Sequence, residues 1–163
     1  MEFLVLIGLI AILLFGFVIL FGAPYLPTLR PQMITALELA DLRNGQRMIE
    51  LGCGDGKVLI AAAQQGVSVI GYELNPILAA IAWLRTRKYK GLVTVKCRNF
   101  WSVTLPDTEV IFTFLLPKYM KTLDKKITQE YSGKNVKLVS IAFEIPSKTA
   151  TKTKNGVYLY QYK

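Results

Sequence analysis

The first stretch of the chain, Phe3 to Gly22, carries no charged or strongly polar side chain on any helical face. At about 1.5 Å per residue, a helix of this length spans about 30 Å, the hydrocarbon thickness of a bilayer. The pattern predicts a transmembrane helix over 1–22. Residues 23–31 contain three prolines and read as a stiff, extended connector. From there the pattern changes to short elements. Apolar positions at helical spacing (Met33, Ala36, Leu37, Ala40) predict a helix over 32–42 opened by Pro31. Apolar strands are then expected over 48–51, 67–72, 92–97, 109–115, 136–145 and 157–162. Helices are expected over 57–65, 76–88 and 117–131. Strands that read as near-continuous apolar runs and alternate with helices indicate a parallel sheet with helices on both faces. Residues 32–163 form one such α/β domain.

Composition sharpens the N-terminal reading. The chain is 52% hydrophobic and 19% charged, against about 45–50% and 25% in ordinary soluble domains, and the excess lies in the first span. Lys and Arg are absent before the run, the run exceeds a signal-peptide core, and Pro24 stands where a cut after Ala23 would fall. These features favour a retained signal anchor over a cleaved signal. All 20 Lys and Arg follow the span, beginning with Arg30, Arg43 and Arg47. The positive-inside rule then places the domain on the cytoplasmic side or its organellar equivalent. Cys53 and Cys97 are too few for a disulfide framework.

The net charge is +9. Arg85, Arg87, Lys88, Lys90, Lys96 and Arg98 form one basic stretch, and Lys118, Lys121, Lys125 and Lys126 another. On an anchored domain such stretches suit anionic lipid headgroups, with the bilayer as partner through 3–22, rather than nucleic acid. The chain has no His, which removes the usual general base and most zinc ligands. The carboxylates are scattered, and no metal site is expected.

The chemistry-bearing segment is Glu50-Leu51-Gly52-Cys53-Gly54-Asp55-Gly56-Lys57. A strand ends in an acid, and glycines at alternate positions lead into a helix. It is not a dinucleotide fingerprint, because G-x-G-x-x-G requires Gly at position 57. It lacks the Gly-Lys-Ser/Thr of a phosphate loop, and Glu50 and Asp55 would repel a pyrophosphate. The loop suits a ligand with positive charge. Glu73, at the end of the second strand in Gly71-Tyr72-Glu73-Leu74-Asn75, can accept both hydroxyls of a ribose. Asn99, Phe100 and Trp101 follow the third strand, where a polar group beside aromatic rings suits an adenine. Strands one, two and three each end in a group fit for a nucleoside that bears a cation.

These motifs resemble those of class I S-adenosylmethionine-dependent methyltransferases, with a Rossmann-like sheet. The N-terminal span, Pro24-Tyr25-Leu26-Pro27-Thr28, the glycine motif with its following helix, Gly71-Tyr72-Glu73-Leu74-Asn75-Pro76, and Leu116-Pro117-Lys118-Tyr119-Met120 are similar to a narrower family. Its members are membrane-anchored protein-lysine methyltransferases related to the mitochondrial enzymes that modify the ATP synthase c-subunit and the adenine nucleotide translocator. The resemblance implies S-adenosylmethionine as methyl donor and a membrane-protein substrate. It implies that Gly52, Cys53, Gly54 and Gly56 approach the methionine part, while Glu50 and Asp55 face its ammonium. Glu73, Leu74 and Asn75 would hold the ribose, and Asn99, Phe100 and Trp101 the adenine. Asn99 stands where the family usually has Asp. Pro24, Tyr25 and Thr28 would help close the site. Tyr25, Trp101, Phe114 and Pro117 would lie near the transferred methyl, with no single catalytic base. Several of these residues have simpler roles open to them: Asp55 as a helix cap, Trp101 and Cys53 as packing residues, Tyr25 as an interfacial anchor. A membrane-soluble small molecule as acceptor and a non-catalytic donor-binding role are the alternative functions. The short Lys-rich stretch after Ile145 predicts a trimmed C-terminal hairpin.

Overall fold

The computed structural model describes residues 1–21 and 27–163, with the side chains of the first helix described at residues 1–9, 12 and 16. The order of elements is α1 (Glu2–Phe21), α2 (Arg30–Ala40), β1 (Arg47–Leu51), α3 (Lys57–Ala63), β2 (Ser68–Glu73), α4 (Pro76–Thr86), β3 (Val93–Cys97), β4 (Val110–Thr113), α5 (Pro117–Glu130), β5 (Val136–Ile141), β6 (Lys152–Lys154) and β7 (Val157–Tyr162). Short 3-10 turns occupy Arg87–Tyr89 and Phe100–Ser102.

The seven strands form one sheet in the order β3-β2-β1-β4-β5-β7-β6. The first five in that order run parallel, β7 runs antiparallel to β5, and β6 antiparallel to β7. From β1 the chain steps outward to β2 and β3, then returns to β4 on the other side. That reversal opens a crevice at the carboxyl ends of β1 and β4, where open α/β sheets bind ligands. Each strand divides its side chains between two cores with period two. Met48, Val110, Phe112, Val139 and Leu159 pack beneath α2, α3 and α4. Ile49, Leu51, Ile111, Leu138 and Tyr160 pack beneath α5 and the Phe100–Leu105 segment.

The ends of elements differ from the sequence expectation for local reasons. α2 begins at Arg30, so Arg30 and Pro31 belong to a helix rather than to the connector. It stops where Asp41 takes a left-handed conformation and its amide reaches the Glu38 and Leu37 carbonyls. β5 leaves the sheet at Ala142, whose φ is 66°, and so does not extend to Ile145. The Ser140 hydroxyl donates to the Phe143 carbonyl across that turn at 2.7 Å. The C-terminal hairpin is short, with a three-residue exposed edge strand at Lys152–Lys154. Its lysines blunt the open edge, and the strand order of the sheet is nonetheless complete.

Among the described residues no helix is long and apolar enough to cross a membrane, so the expected span over 3–22 is not met by what is described. Phe3, Leu4, Val5, Leu6, Ile7, Leu9 and Ile12 are exposed. Gly22, Pro24 and Tyr25 lie outside the described residues.

Candidate functional site

β1 ends at Leu51 and the chain turns through Gly52, Gly54 and Gly56, with φ of 81°, 51° and 79°. A residue with a side chain is strained in that region, whereas glycine is not. The turn is fastened to β2. The Gly52 and Cys53 amides both donate to the Tyr72 carbonyl at 2.9 Å. Gly71 in β2 makes this approach possible: a Cβ there would sit 2.7 Å from Leu59 Cδ1 and 2.8 Å from Cys53 Sγ. Sequence reasoning gave Gly71 no role of its own, although a glycine inside an apolar strand signals just such a close approach.

Glu73 links the glycine loop to the start of α4. Its Oε2 accepts the Gly54 amide and its Oε1 the Asn75 amide, each at 2.8 Å. Asn75 caps α4, its Oδ1 accepting from Ile77 and Leu78 at 2.9 and 3.3 Å. Leu74 is half-buried between them. An ionised carboxylate has about four lone-pair sites, so Glu73 retains acceptor capacity for two ligand hydroxyls.

Glu50 is 4% exposed, and its Oε2 has no hydrogen-bond partner. Burial, with smaller contributions from the charges of Asp55 and Glu73, holds its carboxyl well above the usual carboxylate range. A cationic hydrogen-bond donor placed in the crevice would satisfy this oxygen, and the ammonium of a methionine moiety has that chemistry. Asp55 has a partner that the sequence did not indicate. Its carboxylate is engaged by the Arg85 guanidinium, which also donates to the Asp55 carbonyl at 3.1 Å, and Lys57 Nζ stands 4.0 Å away. Asp55 therefore ties the loop to α4. Cys53 is buried with its thiol pushed up by burial, which makes it a packing residue against Gly71.

On the third strand's side, Asn99 Oδ1 accepts the Trp101 amide at 3.0 Å and caps the 3-10 turn. That oxygen keeps a second lone pair for an adenine amino group. Phe100 and Trp101 have ring centroids 4.5 Å apart, and Trp101 lies 6.1 Å from Tyr119 of α5, so Trp101 packs along the α5 side. This segment is clamped to α5 from below. Lys126 Nζ donates to the Val103 carbonyl at 2.7 Å and to Glu130 at 2.5 Å, and Glu130 Oε2 accepts the Leu105 amide at 3.0 Å. Lys126 is thus a structural residue rather than part of a free basic face. Phe114 follows β4, and its ring lies 6.2 Å from that of Phe143, which follows β5. Pro117 opens α5 three residues on. Thr28 is half-buried just ahead of α2.

The crevice therefore holds a glycine cradle, an unpartnered buried carboxyl, a bidentate acid with spare acceptors and a capped aromatic turn. These groups fit the ammonium, ribose and adenine of S-adenosylmethionine. Comparison with known proteins agrees. The ANTKMT methyltransferase domain matches residues 50–152. A protein-lysine N-methyltransferase of Saccharolobus islandicus is 30% identical over 149 residues, covering 84% of this chain and 92% of that protein. The human ATP synthase c-subunit lysine N-methyltransferase is 28% identical, covering 76% of this chain and 53% of its own length. The chain thus spans about half the length of the vertebrate relatives it matches. Among solved structures, an RNA methyltransferase from Salinibacter ruber in complex with S-adenosyl-L-homocysteine superposes with a TM-score of 0.76 at 25% identity, covering 84% of this chain and 92% of that one. With its Rossmann-like seven-stranded sheet and the Glu73-bridged glycine loop, the chain belongs to the ANTKMT methyltransferase domain family of S-adenosylmethionine-dependent methyltransferases.

Proposed function

We propose that the protein is a membrane-anchored protein-lysine N-methyltransferase acting on a protein at the bilayer surface. The observation that carries the lysine reading is the likeness, over nearly the whole of both chains, to a relative named for that activity. The adenine nucleotide translocase lysine N-methyltransferase of mouse, 33% identical over 128 residues, supports it. The anchoring reading is supported by the sequence, in which Phe3 to Gly22 carries no charged or strongly polar side chain. Orientation with the domain on the cytoplasmic side, or its organellar equivalent, is supported by the position of every Lys and Arg after α1.

S-adenosylmethionine supplies a methyl group on a sulfonium that is already activated for displacement. The chain's task is alignment, which can contribute about 7–11 kcal/mol to lowering a barrier. Glu50 and the Gly52–Gly56 backbone would orient the amino-acid end, and Glu73 the ribose. The acceptor lysine must arrive neutral, against an ordinary pKa of about 10.4. Burial between the carboxyl ends of β4 and β5 disfavours its ammonium form. Phe114 and Phe143 form an apolar wall there, and their ring faces can hold the amine before it loses its proton.

A second reading, methylation of RNA, is favoured by the Salinibacter ruber likeness and the net charge of +9. One experiment separates the two. The purified chain, returned to its native membranes with methyl-labelled S-adenosylmethionine, is expected to label protein, with methyl-lysine recovered on hydrolysis. Label in RNA or in the lipid extract, or no label while the donor binds, would overturn the lysine reading.

A further inference from the structure

α4 presents two contrasting faces. Ala79, Ala82 and Thr86 are buried against the sheet. On the opposite side Ile77, Ile81 and Leu84 recur at i, i+4 and i+7, and they are 48%, 38% and 53% exposed. Trp83, on the flank of the helix about 100° around from Leu84, is 58% exposed. A helix on a solvated surface carries charged or polar residues at such positions. Among the described residues, the exposed large apolar side chains beyond α1 are these four together with Leu29 and Ile34. Four of them therefore share one helix.

The end of that helix is strongly basic. Arg85, Arg87, Lys88 and Lys90 are all exposed. Arg85 is paired with Asp55, whereas Arg87, Lys88 and Lys90 have no carboxylate partner among the described residues, and no acidic residue occurs from Leu74 to Pro106. An exposed apolar stripe, a tryptophan on its flank and a cluster of Lys and Arg at one end are the combination found in helices that lie in a membrane interface. An apolar protein partner would not call for the acid-free basic rim, whereas anionic headgroups do.

We propose that this face of α4 docks on the anionic surface of a bilayer. Ile77, Ile81 and Leu84 enter the acyl boundary, Trp83 sits at headgroup level, and Arg87, Lys88 and Lys90 meet lipid phosphates. The N-terminal end of α4 carries Asn75, which Glu73 ties to the glycine loop. Docking therefore sets the height and tilt of the donor crevice over the membrane and limits acceptors to groups near its surface. The inference builds on the proposed anchoring through α1, and the test distinguishes the two.

The chain has two tryptophans, so Trp101→Phe in this chain leaves Trp83 as its sole reporter. This variant is reconstituted into phosphatidylcholine vesicles with and without phosphatidylglycerol, each with acyl chains brominated near the headgroup. Trp83 emission is expected to shift to the blue and to be quenched in the anionic vesicles, more than in the neutral ones. Arg87→Glu with Lys88→Glu is expected to lose most of that quenching, and so is Ile81→Asp, while the protein still floats with the vesicles. Flotation with an unquenched Trp83 would overturn the docking and leave the anchor standing. Neither flotation nor quenching would overturn both. Equal quenching in neutral and anionic vesicles, or shielding of Trp83 only when a protein partner is added, would also overturn the proposal.

Discussion

Glu73 Oε2 accepts the Gly54 amide at 2.8 Å and so joins the carboxyl ends of β1 and β2 through a single carboxylate. The second oxygen of that carboxylate holds the Asn75 amide. The acid expected to grip a ribose is thus also the brace of the loop that would approach the methionine part. Ligand affinity and loop geometry share one side chain. A hydrogen bond to a charged group contributes about 1.5–3 kcal/mol, so both depend strongly on it.

Glu73→Gln keeps one acceptor and is expected to weaken S-adenosylmethionine binding about tenfold to a hundredfold. Glu73→Ala leaves two amides without partners and abolishes measurable binding. Calorimetric titration of both variants checks this. Wild-type affinity in Glu73→Ala would remove Glu73 from the site.

Gly71→Ala forces a methyl group against Leu59 and Cys53. Overpacking of this kind costs about 1–3 kcal/mol. Cys53→Ala in the same chain removes the Sγ contact at 2.8 Å but keeps the Cβ at 2.9 Å, and is expected to recover part of the loss. A thermal-unfolding double-mutant cycle reads the coupling, and additive losses would mean that the two residues do not oppose each other.

Glu50 offers a pH signature. Its folded carboxyl holds its proton to higher pH than an unfolded one, so the folded state binds protons more tightly. Its contribution to stability is greatest below the ordinary carboxylate range and declines as pH rises toward the folded value. Glu50→Gln is expected to flatten this decline and to weaken donor binding, because the crevice loses a carboxyl that can ionise against the donor's ammonium. Urea midpoints measured from pH 4 to 8 test the first effect, and titration with S-adenosylmethionine the second. An unchanged pH profile would show that Glu50 is not what the slope reports.

Asn99→Asp restores an acid beside the adenine position while keeping an acceptor for the Trp101 amide. A charge-assisted hydrogen bond is roughly twice as strong as a neutral one, so donor affinity is expected to rise up to about tenfold with little change in Tm. Weaker binding in the variant would place the adenine elsewhere.

Lys126 is 11% exposed at its side chain and holds the Val103 carbonyl. Lys126→Met keeps the packing and removes the donor. It is expected to cost about 1–3 kcal/mol and to raise the mobility of Trp101, read as faster acrylamide quenching in a Trp83→Phe background. Unchanged quenching would show that the clamp does not position Trp101.

Much of this protein was legible along the chain. The alternation of apolar strands and helices gave the parallel sheet, because strands buried on both faces must be apolar throughout. Gly52, Gly54 and Gly56 after Glu50 marked the loop, because only glycine enters left-handed backbone freely. The interval to Glu73 marked the second strand end. These are local signals, written by backbone sterics and burial. Tertiary structure alone decided where side chains meet. Asp55 met Arg85, thirty residues away, Lys126 was drawn from a basic stretch into the Val103 clamp, and Gly71 acquired its role from Leu59 and Cys53. The exposed apolar face of α4 likewise emerged only when the sheet covered Ala79, Ala82 and Thr86 and left Ile77, Ile81 and Leu84 outside. Periodicity specifies that a helix has two faces, but the packing of distant elements determines which of them is covered.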